Sequence, residues 1–393
     1  MAAYVCNRKE RSMDIRKELP EIFEDFAEER RNAFVRVKEL KDKDIPVVGM
    51  FCTYFPQELA LAAGAAPVSL CATSDETISV AEEDLPKNLC PLIKSSYGFG
   101  KTDKCPFFFF SDLVVGETTC DGKKKMYEYM ADFKPVHIME LPNKNSEAGL
   151  VLWKEEIIRM KEKLEEVFHK EITTDDIRNA IRVKNAERQA VKDFYAIMKE
   201  EYPPISGLDV LKTLEGITFH FDKEQVPAEL SALMEKIKGQ ESAREKKPRI
   251  VITGCPMGGA TRKVVEIIEN QGACCVAFEN CTGAKAIEDN VDETMEDVYE
   301  ALAQKYLNIG CSCMTPNKNR YRLLGRLIDE YRADAVIDME LSACHTYAVE
   351  SGLIRRFVTG EKGIPYFSIE TDYSQADAGQ LTTRIAAFVE MLK

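Results

Sequence analysis

The feature that most constrains the fold is an alternation of short apolar runs with amphipathic stretches, made once, interrupted, and made again. The first pass opens with Ile45-Pro46-Val47-Val48-Gly49-Met50-Phe51, a short apolar run bounded by turn chemistry, which reads as a buried strand. Pro56 then starts a helix that stops near Gly64, with Pro in its first turn and Gly just past its last. Further strands are expected at 66–70, 112–115 and 135–139, separated by helical stretches such as 123–133. The second pass follows Lys246-Lys247-Pro248. Its strands are expected at 249–253, 273–278, 334–339 and 364–369, and its helices at 259–270, 294–307, 320–331, 347–358 and 377–392. Strands alternating with helices imply parallel, doubly wound sheets. The expected fold is α/β, with two Rossmann- or flavodoxin-like parallel-sheet domains.

Between the passes the chain is rich in Glu, Lys, Arg and Leu and is broken at Pro203-Pro204, which predicts a helical segment joining the halves. Its His169 and His220 read as surface or packing residues. Residues 13–42 predict a long amphipathic helix, with Ile15, Leu19, Phe23, Phe26, Phe34 and Val37 near one stripe. The expected units are an N-terminal helix (1–43), a first α/β domain (44–145), a helical link (146–245) and a second α/β domain (246–393).

Composition narrows the function. At 45% hydrophobic, the 393 residues can bury more than one core and are not a disordered chain. An excess of 66 Asp+Glu over 53 Lys+Arg disfavours nucleic acid or an anionic membrane as partner. No apolar run approaches the ~20 residues that span a bilayer, and Met1 to Arg16 is too polar for a secretory signal. A cytoplasmic protein is expected.

The chain carries 13 cysteines and only 4 histidines, which in a reducing compartment argues against a disulfide framework. Their placement is more informative than their number. Open α/β sheets bind ligands in the loops beyond the carboxyl ends of the strands. Cys52, Cys120, Cys281 and Cys344 each follow an expected strand, Cys90 precedes Pro91 at the start of a helix, and Cys311 and Cys313 share a loop between helices. Cys274-Cys275 falls inside a strand and reads as packing. Cys6 reads as a free thiol in the polar tail, and Cys71, Cys105 and Cys255 as structural. Soft thiolates with few histidines point to iron–sulfur clusters or zinc. The paired knuckles of zinc sites and local ferredoxin spacings are both absent from the sequence.

Two phosphate-loop look-alikes fail. Gly98-Phe99-Gly100-Lys101-Thr102 lacks the earlier glycine of a P-loop, where Ser95 stands. Gly254-Cys255-Pro256-Met257-Gly258-Gly259 has the wrong glycine spacing for a dinucleotide fold and reads equally as a tight strand-to-helix turn or an anion-holding helix start. ATP hydrolysis on this chain is not expected. Cys344-His345 is a poor nucleophile and base, because adjacent residues on a turn point apart. His345 is better placed to donate a hydrogen bond to a cluster sulfur. Glu58 and Lys94 are candidate proton donors only by their proximity to these cysteines.

At these residues the sequence resembles the 2-hydroxyacyl-CoA dehydratase family, which includes the D-component of those dehydratases and benzoyl-CoA reductase subunits. The segments that carry the likeness are Phe51-Cys52-Thr53-Tyr54-Phe55-Pro56-Gln57-Glu58-Leu59 with Ala62-Ala63-Gly64, Cys90-Pro91, Cys120-Asp121-Gly122-Lys123, Cys344-His345, and Glu370-Thr371-Asp372 with Gly379-Gln380-Leu381 and Arg384. The resemblance implies a 4Fe-4S cluster at the domain interface, held by Cys90, Cys120 and Cys344. It also implies electrons from a separate ATP-hydrolysing iron–sulfur activator. The extra loop cysteines Cys52, Cys281, Cys311 and Cys313 more closely resemble the double-cubane cluster proteins, homodimers in which six cysteines of each chain hold two sulfide-bridged cubanes. On that likeness the ligands are six of Cys52, Cys90, Cys120, Cys281, Cys311, Cys313 and Cys344, with Cys311 and Cys313 as alternatives. The implied activity is a low-potential iron–sulfur reductase acting on small recalcitrant substrates. The alternative is a dehydratase subunit with one 4Fe-4S cluster that converts a 2-hydroxyacyl-CoA to an enoyl-CoA.

Overall fold

A computed structural model describes residues 24–238, 245–256 and 258–393. Cys6 and residues 13–23 of the expected first helix lie outside the described residues. Two four-stranded parallel sheets form the frame. In the first the order is β2 (Ala66–Ser69), β1 (Val47–Met50), β3 (Leu113–Glu117), β4 (Val136–Met139). In the second it is β6 (Cys274–Phe278), β5 (Arg249–Gly254), β7 (Ala335–Leu341), β8 (Tyr366–Thr371). The α/β expectation with two parallel sheets is met.

The two sheets repeat one design. Asp112 accepts the Val47 N–H at 2.8 Å, and Asp334 accepts the Arg249 N–H at 2.8 Å. Each aspartate pins the start of the central strand to the start of its neighbour. In both sheets the order reverses between these two strands, which makes their carboxyl ends the crevice where ligands bind.

The first half adds α1 (Glu24–Asp42), α2 (Gln57–Ala62), α3 (Ile78–Ala81), α4 (Pro91–Lys101), α5 (Pro106–Phe110) and α6 (Asp121–Met130). The middle stretch supplies α7 (Glu147–Phe168), α8 (Thr174–Ala196), α9 (Gly207–Thr218) and α10 (Val226–Lys238). The second half adds α11 (Gly259–Asn270), α12 (Ala284–Ile287), α13 (Val298–Leu307), α14 (Lys318–Glu330), α15 (His345–Arg356) and α16 (Ala378–Glu390). The helix expected from 294 starts at Val298 instead. The Asp297 side chain takes the N–H groups of Tyr299 at 3.0 Å and Glu300 at 3.1 Å, so the cap falls there.

Packing does not follow chain order. One core joins Val48, Leu113 and Val115 of the first sheet to Trp153 and Ile157 of α7, Ile177 of α8, and Leu302, Tyr306 and Leu307 of α13. Thus α13, which follows the second sheet's β6 in sequence, is buried with the first sheet. The other core runs from the second sheet through Val210, Leu211 and Leu214 of α9 and reaches Val47, Phe51 and Val68. His220 is buried, with Nε2 3.1 Å from Glu229. Gly98 and Gly100 lie within α4, so the GKT tripeptide ends a helix and is no phosphate loop. Among the described residues no helix is long and apolar enough to cross a membrane.

Candidate functional site

Both sheets send the loops after their strands to one cavity of about 430 Å³. All seven candidate cysteines line it: Cys52, Cys90, Cys120, Cys281, Cys311, Cys313 and Cys344. They form two groups that differ in setting.

Cys90, Cys120 and Cys344 each occupy the N-cap position of a helix, α4, α6 and α15 respectively. Three helix starts are therefore directed at one region, and their partial positive ends favour thiolate. The hydrogen bond from Cys344 lowers the Cys90 thiol from its ordinary range, aided by the N–H groups of Leu92 and Ile93. Burial raises Cys120, against the pull of the Lys123 N–H.

The other group is Cys52, Cys281, Cys311 and Cys313. Burial, then the Glu117 carboxylate, holds the Cys52 thiol well above its ordinary range. Burial also raises Cys281, opposed by Lys285 and by a hydrogen bond with Thr53. Within the Cys311–Cys313 pair the Cys313 thiol donates, so Cys311 falls to about 5 and Cys313 rises. The two thiols titrate as a pair rather than singly. The Tyr347 hydroxyl lies 3.9 Å from Cys311 Sγ and accepts from Lys285 at 3.3 Å. The loop is held by the Tyr54 hydroxyl, which donates to the Ile309 carbonyl at 2.8 Å.

The other cysteines have different employment. Cys71 borders the cavity but donates its thiol proton to the Phe51 carbonyl at 3.1 Å. Cys105 Sγ accepts the Phe108 N–H at 3.4 Å and caps α5. Cys274 and Cys275 are buried in β6, and Cys255 is buried where β5 ends. His345 is exposed and borders the cavity. Glu58 is buried on Arg188 and Tyr306, and Lys94 on Glu82 and the Lys87 carbonyl, so both are engaged in structural bonds.

A basic wall of the same cavity was not foreseen from the sequence. It is lined by Lys184 and Arg188 of α8, by Lys223, and by Lys305 of α13, each less than a tenth exposed. Despite burial, Lys184 and Lys223 hold the Glu187 carboxyl down to about 2, while burial pushes Lys184 itself down to about 8. The available signal was Lys305 within the apolar face of α13, beside Leu302 and Tyr306.

Among the described residues no three His, Cys, Asp or Glu side chains converge as they would on a single metal ion. A cluster with several iron corners has a different requirement, because it takes thiolates that are spread around it. The donor set fits such a group: thiols from separate loops on one cavity, beside a buried Ser312 hydroxyl with no partner among the described residues.

A family described as 2-hydroxyglutaryl-CoA dehydratase, D-component, matches residues 52–392. The chain belongs to this family. It is 57% identical over 384 residues to YjiM of Escherichia coli (strain K12), whose name proposes a dehydratase subunit; the match takes in 97% of this chain and 100% of that one. It is 23% identical to the (R)-phenyllactyl-CoA dehydratase beta subunit of Clostridium sporogenes, over 94% of this chain and 97% of the relative. It is also 21% identical to one subunit of the benzoyl-CoA reductase of Thauera aromatica, over 92% of this chain and 95% of that one. The family resemblance read from the cysteine segments is thereby established, and with it an enzymatic role. The D-component relatives include both dehydratase and reductase subunits.

Proposed function

We propose that this D-component family member is a low-potential iron–sulfur reductase carrying a double-cubane cluster, two 4Fe-4S units joined by a sulfide. The observation that supports this reading is the second set of thiols. Cys52, Cys281 and Cys311 share a cavity with Cys90, Cys120 and Cys344, and a single cubane of this family needs only the latter three. When bound, the cluster would supply low-potential electrons one at a time to a small, hard-to-reduce molecule.

The protein's own part follows from the geometry. The starts of α4, α6 and α15 present Cys90, Cys120 and Cys344 to the cavity, with Cys90 lowered by its hydrogen bond from Cys344 and Cys344 raised by the same bond. Either Cys311 or Cys313 supplies the sixth thiolate, and the hydrogen bond that lowers Cys311 favours it over Cys313. Thr53, Ser312 and His345 tune the thiolates by hydrogen bonding. Because Cys52, Cys120 and Cys281 are raised by burial, loading the site releases protons. Electrons come from a separate ATP-hydrolysing activator, the chain works as a cytoplasmic homodimer, and neither nucleic acid nor membrane is a partner.

The second reading is a dehydratase subunit with one cubane on Cys90, Cys120 and Cys344, converting a 2-hydroxyacyl-CoA to an enoyl-CoA with a second, different subunit. The (R)-phenyllactyl-CoA dehydratase relative favours it. Iron and acid-labile sulfide per chain, after anaerobic purification, separate the two: about eight irons supports the first, and a firm value near four sinks it. Cys281→Ser should lose roughly half the iron on the first reading and almost none on the second.

A further inference from the structure

The basic wall has more basic groups than carboxylates to pair them. Four basic side chains, Lys184, Arg188, Lys223 and Lys305, stand against two carboxylates, Glu187 and Glu58. Glu187 is shared by Lys184 and Lys223, whose Nζ lies 3.2 Å away. Glu58 is bound by Arg188 and by the Tyr306 hydroxyl at 2.7 Å. Glu215, which also borders the cavity, is paired with Arg262 at 2.7 Å. Lys305 has no carboxylate partner among the described residues. Its Nζ donates to the Ala286 carbonyl at 3.3 Å and sits 4.0 Å from the Tyr306 ring centre, and the residue is 4% exposed. Burial, then the neighbouring Arg188 charge, holds the Lys305 amine well below its ordinary range, and a cavity beside it lets an anionic ligand restore the ammonium form.

We propose that Lys305, with Lys184, forms a subsite for the carboxylate of a small anionic substrate. This rests on the reading of the cavity as the reaction site. It adds that the reducible molecule is a short carboxylic acid, held by its charged end while another part meets the thiols. Gln57, whose Oε1 accepts from Lys184 at 3.0 Å, offers its amide N–H to the same ligand. Coenzyme A also carries anionic groups and is therefore the competing ligand of the test.

The test is calorimetric titration of the anaerobically purified full chain with lactate, its neutral isostere lactamide, and free coenzyme A at constant ionic strength. Lactate should bind saturably, with lactamide at least about tenfold weaker and Lys305→Met weakening lactate about tenfold. Lys305→Arg should keep lactate binding. Without ligand, Lys305→Met should melt at or above the wild-type temperature, because the variant removes an amine that burial penalises. Equal binding of lactate and lactamide, Lys305-dependent binding of coenzyme A but not lactate, or a lower melting temperature for Lys305→Met would each overturn the proposal. Iron content of the same preparations reports separately on the cluster reading, so the two can fail independently.

Discussion

Replacing Glu187 by Gln is the most direct probe of how the cavity wall is held. The carboxylate is buried between Lys184 and Lys223 and held at about 2 rather than 4.5. At about 1.4 kcal/mol per unit, that displacement corresponds to ~3 kcal/mol of stability at neutral pH. The same magnitude follows from breaking a buried ion pair, about 3–5 kcal/mol. The sign is fixed by the direction of the shift. A depressed carboxylate stabilises the fold above its unfolded value and loses that contribution as pH falls toward its folded one. Urea denaturation of the metal-free chain should therefore show Glu187→Gln weaker by ~3 kcal/mol at pH 7, with about half of the difference gone by pH 3. Adding Lys184→Met should recover part of the loss, since the stranded ammonium is its source. A difference below about 1 kcal/mol at pH 7, or one that does not change down to pH 3, refutes the reasoning.

Other perturbations test other parts of the frame. Arg320 is fully buried, donates to Glu350 at 2.5 Å and lies 3.6 Å from Glu279, so Arg320→Met should cost ~3–5 kcal/mol. Thermal melts should show Arg320→Lys rescuing only part of this, because an ammonium cannot reproduce the guanidinium fork. A Cβ at Gly98 would stand 2.3 Å from the Thr77 carbonyl oxygen. Gly98→Ala should thus lower the urea midpoint, the ~1–3 kcal/mol of overpacking outweighing ~1 kcal/mol of helix propensity; a raised midpoint would contradict the packing. Cys71→Ser should retain iron, as its thiol serves the Phe51 carbonyl, whereas Cys120→Ser should lose it; equal loss from both would show that Cys71 is also a ligand.

The α/β class and the two similar halves were legible in the sequence because strands and amphipathic helices are written in local hydrophobic periodicity. Runs such as Arg249–Gly254 and the stretch Gly259–Asn270 carry that signal within a few residues. The candidate cysteines were legible for a related reason: loops beyond strand ends face a common edge in any doubly wound sheet. Position along a strand then separated Cys274 and Cys275, inside it, from Cys281 beyond its end.

Convergence of residues far apart in the chain was decided by tertiary packing. Helix α13 follows the second sheet's β6 yet buries Leu302, Tyr306 and Leu307 with the first sheet, and this brings Cys311 to the same cavity as Cys52. The same docking turns Lys305 inward beside Lys184 and Arg188 of α8, making a basic wall from residues far apart in the chain. Periodicity specifies which face of a helix is apolar. The sheet against which that face is buried, and the charges it carries there, depend on how the whole chain closes around its cores.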